Sequence, residues 1–542
     1  MRILHHRRSF CAAAVTVILA TLGTVLIASG ASARGSSASG SGQTLTVSDG
    51  DLDTLLPAAS ELSFNELDQL WAPIAAFNAN GSLKYVQAKS IKQSGHDKVW
   101  TITFRSGWTF HNGEPVTAAS YADAWNFTAD KANAMANASE LAEIKGYSAV
   151  NPASGKATAT KMSGLKVLGR ETLRVTLSHP DSQFPDELIS GDLAFYPMPA
   201  AGLKDPASFK TDPIGDGPYE MASPANLDEQ VPLKAYPGYK GTKPNISNLT
   251  FKLFSNADTA YTATQAGSVD IDAITPQDKY TSIKPDFGSR VLNVPGESID
   301  FLGFPIFDKK FANPKLREAV SLAIDRPAIA RALLGNQSSP ATGVLGPGLL
   351  GGGAKQCNYC GFDPAKARTL LSQAGGWQGT MVIEYPGGAG YDQEFQAIAN
   401  ELSQNLHIKS VRAQPASGFG PYLAALEKRQ YTDGPFRGHW GSLTPSSGQT
   451  LAALFEVGGG GNDATGFYSD PKVTRLITAG NGAASQGDAV KDYQAAAKII
   501  LDQRVVVPLF FPTYPFVYAA NVHNLKATPH EIGIDLSAVK LG

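Results

Sequence analysis

Residues 99 to 125 read V-W-T-I-T-F-R-S-G-W-T-F-H-N-G-E-P-V-T-A-A-S-Y-A-D-A-W. Val99, Thr101 and Thr103 alternate with Trp100, Ile102 and Phe104, the period-two pattern of a half-buried strand, which stops at Ser106-Gly107. A second short extended piece, Trp108 to Phe110, meets His111-Asn112-Gly113, and Asn-Gly favours the positive φ of a tight turn. Thr117 is placed to cap a helix on which Tyr121, Ala124 and Trp125 share one face. The predicted unit is strand, turn, strand and capped helix. Its residues are those that turns and caps demand, so it describes scaffold rather than site.

Upstream, the first ten residues carry Arg2, His5, His6, Arg7 and Arg8 without an acid, and Cys11 to Ala28 is free of charge. With the small residues Ala31-Ser32-Ala33 this predicts an export signal over 1–33, followed by a flexible linker over 34–43. Arg7-Arg8-Ser9-Phe10 also fits the twin-arginine pattern, so the export route is open. About 18 uncharged residues are marginal for a bilayer span, which leaves cleavage or an uncleaved anchor. The formal net charge is −2, and loss of Arg2, Arg7 and Arg8 makes it more negative, so no basic surface points to nucleic acid. A chain of 542 residues exceeds what one core holds and predicts two or three domains. After the leader only Cys357 and Cys360 remain, and C-N-Y-C in an exported chain predicts a small disulfide. No second Cys or His pair completes a zinc shell.

Downstream, Thr44 to Val47 reads as a strand and Glu61 to Trp71 as a helix, while Leu165 to Leu177 reads as a hairpin, so about 80–190 looks like an α+β insertion. Asp212 to Tyr219 is a tight turn, Leu249 to Leu253 a strand and Ala257 to Ala266 a helix. Asn313-Pro314 opens a helix with the stripe Leu316, Ala319, Val320, Ala323 and Ile324; Asp325 caps the next, and Asp363-Pro364 opens a third. Met381–Tyr385, Tyr391–Leu406, Ile408–Ala413, Tyr422–Gln430 and Phe436–Trp440 then alternate as β-α-β-α-β, which implies parallel strands in an open sheet. Ligands of such sheets gather at the strands' carboxyl ends, and the third strand ends at His439-Trp440-Gly441-Ser442.

Catalytic signatures are missing from the sequence: no H-E-x-x-H, G-x-S-x-G, Walker loop or G-x-G-x-x-G occurs, and beyond the leader the histidines are scattered singly. The chain is therefore expected to bind rather than to catalyse, with no cofactor and no metal site.

The stretch 99–125 resembles the W-x-F-x-L-R-x-G-x-x-F-x-D-G-x-P-x-T-A-x-D-V signature of the family 5 extracellular solute-binding proteins, the peptide and nickel receptors of ABC importers. Asn112 stands where Asp is usual and Ser120 where an acid is usual, both small and polar. Asp212-Pro213-Ile214-Gly215-Asp216-Gly217-Pro218-Tyr219, Gly267-Ser268-Val269-Asp270-Ile271 and the run from Asn313 to Ile329 resemble further family segments. The resemblance implies a two-lobed, hinged α/β receptor of the periplasmic-binding-protein type. Lobe I would cover 44–298 with an α+β subdomain inserted at about 80–190, lobe II 299–508, and 509–542 would return to lobe I. Such a receptor, a monomer, would take a small peptide between its lobes and hand it to membrane permease subunits, with no cofactor and no nucleic acid.

The same resemblance places the solute against Trp440 with His439, Gly441, Ser442 and Leu443, near Ser60 and Glu61, and around Phe510 and Phe511. Leu443 stands where oligopeptide receptors carry the aspartate that pairs with a peptide's ammonium, and Glu61 is either a substitute partner or a first-turn helix acid. Leu443 therefore keeps a rival guest in view: a metal chelate, a haem, a glycan or a modified peptide. A secreted hydrolase or an adhesion module is the other class. Ala28-Ser29-Gly30 resembles a lipobox, but Ala31 follows where a lipoprotein needs cysteine, so the product is released or held by its uncleaved leader.

Overall fold

The computed structural model describes residues 43–78, 82–189, 193–442, 444–483, 485–528 and 533–542. The export signal, all but the last residue of the linker, and Leu443 lie outside the described residues.

The opening stretch keeps its predicted strand, turn and capped helix, but the second extended piece, Trp108 to Phe110, forms no strand and pairs only through an isolated bridge between Thr109 and Pro115. Strand Val99–Phe104 buries Trp100, Ile102 and Phe104 and leaves the alternate residues half-exposed. Phe110 and Glu114 are paired through the backbone, Gly113 holds φ +84°, and the Asn112 side chain accepts from Glu114 N at 3.0 Å. Helix Ala118–Ala129 starts in a reciprocal box, Ser120 N donating to Thr117 Oγ1 and Thr117 N to Ser120 Oγ. Tyr121 then stacks on Phe104, ring centroids 4.3 Å apart, so the helix face closes on the strand face.

Two larger sheets organise the rest. The first has seven strands in the order Val291–Pro295, Thr513–Tyr518, Ile271–Asp272, Thr44–Asp49, Asn248–Leu253, Gln230–Ala235 and Tyr219–Met221. Its interior is continuous with that of the four-stranded sheet holding Val99–Phe104, Ala88–Ser94, Thr172–Thr176 and Leu165–Gly169: Leu45 and Val47 share one cluster with Trp100 and Ile102. The second large sheet has six strands in the order Ser339–Pro340, Val507–Phe511, Ser298–Gly303, Phe436–Gly441, Met381–Pro386 and Val411–Ala416. Met381–Pro386 runs parallel to both Val411–Ala416 and Phe436–Gly441. Strand Ser298–Gly303 buries both faces, with Leu302 in one interior and Ile299 and Phe301 in the other. Helices cover each face, the first group including Pro314–Leu322 and Asp392–Leu406, the second Ser447–Phe455, Pro471–Asn481 and Gln486–Asp502. This is a two-lobed α/β protein, one lobe to each large sheet, and the chain passes between sheets at Gly296-Glu297 and again at Pro512.

Three elements differ from expectation at both ends. The helix foreseen at Glu61–Trp71 is Phe64–Leu70, because Asp53 holds the preceding loop extended by accepting from Glu61 N at 2.7 Å and Ser60 Oγ at 3.0 Å. The strand foreseen at Ile408–Ala413 is Val411–Ala416, whose register is set by Met381 opposite Val411. The following helix starts earlier, at Phe419, and ends at Glu427 rather than Gln430. Cys357 and Cys360 are joined in a disulfide.

Candidate functional site

Strand Phe436–Gly441 carries the residues singled out above, and its neighbours explain its position. Antiparallel pairing sets Trp440 opposite Ile299, His439 opposite Asp300, and Asp300 opposite Phe510. One residue past the strand, Ser442 N donates to Glu297 O at 3.0 Å, so the strand's carboxyl end is tied to the first passage between sheets. The second passage lies beside it: Tyr514, two residues past Pro512, places its hydroxyl 3.1 Å from Ser298 Oγ and 3.5 Å from His439 Nε2.

The polar centre here is Asp300. Its Oδ1 accepts from Arg437 Nη2 at 2.7 Å and contacts His439 Nδ1 at 2.9 Å. Burial alone would raise the Asp300 carboxyl, but Arg437 and His439 beside it hold it below the ordinary carboxylate value. The Arg437 guanidinium also lies over the Tyr391 ring, 4.3 Å from its centroid. Close by, Glu394 accepts from Gln277 of the first lobe; burial, then Asp300, pushes its carboxyl up to about 7.

Trp440 is half-buried, its ring against the backbone of Gly460 and Gly461. A Cβ on Gly461 would sit 2.7 Å from the indole, so this loop approaches the ring only because a side chain is missing. Gly441 is half-buried and Ser442 buried, its hydroxyl donating to Thr444 O at 2.6 Å.

The other predicted residues sit apart from this group or deeper. Phe510 and Phe511 are 1 % and 6 % exposed and pack into the two interiors of the second lobe. Ser60 is buried, bonding Asp53, Ser63 and, through its carbonyl, Asn137, all on the side of the first sheet. Glu61 is exposed and precedes helix Phe64–Leu70, whose first-turn acid is Glu66, so Glu61 does not play the first-turn part. Sequence reasoning passed over Asp300, Arg437, Glu394, Gln277 and Tyr514. The available signal was a charge inside each of two apolar strands, S-I-D-F-L-G and F-R-G-H-W-G, since acids and arginines are rarely buried unless paired.

One further carboxylate group stands out among the described residues: Glu143, Asp181 and Glu187 bring oxygens within 4.8 Å of one another. Burial raises all three, and Asp181 reaches about 8, so the set shares protons rather than presenting full negative charge.

Residues 83–462 match the model of the bacterial extracellular solute-binding proteins, family 5 Middle. The glutathione-binding protein GsiB of Escherichia coli (strain K12) is 24 % identical over 457 residues, 82 % of this chain and 84 % of that protein. The fold is similar to that of the murein tripeptide binding protein MppA of Escherichia coli, with a TM-score of 0.79, 20 % identity, and 92 % of this chain and 99 % of that one covered. Haemophilus influenzae OppA, in its complex with RPPGFSPFR, gives a TM-score of 0.78 at 19 % identity over 92 % of this chain and 99 % of that one.

Proposed function

The chain belongs to the family 5 bacterial extracellular solute-binding proteins, and on that premise we propose that it captures small peptides between its two lobes and delivers them to the membrane permease of an ABC importer. The observation that carries this reading is the placement of the Trp440-Gly441-Ser442 strand end. It lies beside both passages of the chain between sheets, where a solute held by one lobe meets the other when they close. Trp440 supplies an aromatic wall, and a strand end suits the main chain of an extended peptide. We assign His439, Trp440, Gly441, Ser442 and Leu443 to the second lobe's wall, with Ser60 and Glu61 on the first; Phe510 and Phe511 support the wall from within. We take the lobe limits at the two passages between sheets rather than at 298 and 508: lobe I as 44–296 with the 80–190 insert and the return over 512–542, lobe II as 297–511. The protein acts as a monomer outside the cytoplasm, released or held by its leader, and catalyses no reaction. No helix among the described residues is long and apolar enough to cross a membrane.

A thermal-shift screen tests this with glutathione, tri-alanine and a casein digest against metal chelates and oligosaccharides. A ligand that binds only the folded state adds roughly 2.7 kcal/mol at a hundredfold excess over Kd, so a binding peptide raises the melting temperature. A shift with another class and none with any peptide refutes the peptide assignment.

A further inference from the structure

We propose that closure of the two lobes is held by a proton-sensitive latch, in which Gln183 of the first lobe docks between Ser446 and Tyr493 of the second. The latch regulates the site assigned above and rests on that reading of a closing receptor.

Gln183 immediately precedes the short helical turn Phe184–Glu187. Its Nε2 donates to Tyr493 Oη and its Oε1 accepts from Ser446 Oγ at 2.8 Å. Ser182, next to it, donates from both N and Oγ to Asn481 O, at 3.0 and 3.2 Å. The receiving socket is built independently of Gln183: Tyr493 is fully buried and donates to Asn481 Oδ1 at 2.8 Å, while Ser446 caps helix Ser447–Phe455. Two consecutive residues thus reach three helices of the other lobe, far in sequence from both passages between sheets. Contacts of this kind exist only while the lobes are together.

Asp181 couples the latch to protons. It is 2 % exposed, and its Oδ1 accepts from Gln183 N at 2.6 Å, so its charge acts directly on the latch backbone. Glu143, Asp186 and Glu187 surround it on the first lobe, with Glu140 acting on Glu187; Asp181 N donates to Asp97 O behind. From the second lobe, Glu456 faces Glu143, and Asp492 acts on Tyr493. His179 acts on Asp181 in the opposite sense.

Burial, then Glu143, pushes Asp181 up to about 8, and burial, then Asp181, pushes Asp186 up to about 7. When the lobes part, water returns these groups towards the ordinary value of about 3.9. The closed form therefore binds more protons than the open form. It is most favoured below about 3.9 and loosens progressively as pH rises from there to about 7 to 8.

Small-angle X-ray scattering of the solute-free exported protein at about pH 5, near the acid end of that range, and at about pH 8.5, above it, reads the device. The wild type is compact in acid and expands in base with unchanged circular dichroism. Gln183→Ala has the expanded radius at both pH values, and Asp181→Asn stays compact at both. If Asp181→Asn does not fold, Tyr493→Phe, which removes the hydroxyl but keeps the ring, takes the expanded radius instead. A radius equal at both pH values in the wild type, or unchanged by Gln183→Ala, overturns the latch. The peptide screen run in parallel separates the two readings: peptides that bind while the radius never changes leave the receptor assignment standing and remove the latch.

Discussion

Several polar residues in family-like motifs are held inside the protein by hydrogen bonds that no sequence pattern displays. His111, in the opening stretch, is the clearest: its Nδ1 accepts from Gly215 N at 3.2 Å while Nε2 faces Gly217 O at 3.3 Å, which requires the neutral ring. Burial pushes its pKa down to about 4. Because that folded value lies below the ordinary 6.5, the contribution to stability is complete above about 6.5 and is lost as pH falls through about 4. The expected acid loss is roughly 3 kcal/mol, at about 1.4 kcal/mol for each pH unit. Urea midpoints at neutral and acid pH check it: His111→Gln should lose less than the wild type over that interval, and an equal loss refutes the assignment. Trp440 carries the second prediction. Trp440→Ala is expected to weaken solute affinity about thirtyfold, on the order of 2 kcal/mol, and to lower unliganded stability less than a fully buried tryptophan would. A variant that is strongly destabilised yet binds normally in the cold removes Trp440 from the site.

Among the elements, helix starts were legible and loop-held limits were not. Thr117, Asn313, Asp325 and Asp363 each accept a backbone N–H of the helix that follows, because a short polar side chain is the nearest acceptor to an unsatisfied first turn. Thr117→Ala should cost about 1 kcal/mol, seen as a lower urea midpoint with an unchanged slope; no change would show that Ser120 and packing suffice. The helix expected from Glu61 begins only at Phe64 for the converse reason. The residues before it have helical character, but the Asp53 carboxylate, reaching across the loop, takes their donors first. The arginines of the N-P-K-L-R and A-I-D-R segments belong to this scale as well. Arg317 donates to Phe311 O and Gln503 O, and Arg326 to Pro508 O, Ser321 O and Cys360 O, pinning helices to the sheet and to the disulfide loop.

For the molecule as a whole, the two passages between sheets decide what can move. At Gly296 a Cβ would lie 2.5 Å from the Tyr514 ring and 2.6 Å from Ser298 Oγ, so the two passages cross without room for a side chain. Gly296→Ala is expected to push Tyr514 aside, giving a larger radius of gyration with solute present and weaker affinity. Scattering and calorimetry on the same sample check it, and a variant indistinguishable from the wild type in both would show that the crossing is not the hinge. At about pH 8.5, where the latch is loose, binding a peptide should shrink the radius of the wild type by bringing the two lobes together around the solute.

What the sequence determined by itself was whatever depends on neighbours along the chain. The alternation of Val99 to Phe104, the Asn112-Gly113 turn, the capped helices and the parallel β-α-β-α-β order follow from side-chain period, φ preference and the short reach of a cap, all local quantities. The tertiary structure alone decided the site's surroundings. Asp300 meets His439 and Arg437, 139 and 137 residues away, Tyr514 joins them from the far end of the chain, and Gln183 finds Ser446 across 263 residues. Such pairs leave no periodic trace, because burying a charge or an amide requires only that a partner arrive in space, whichever part of the chain supplies it.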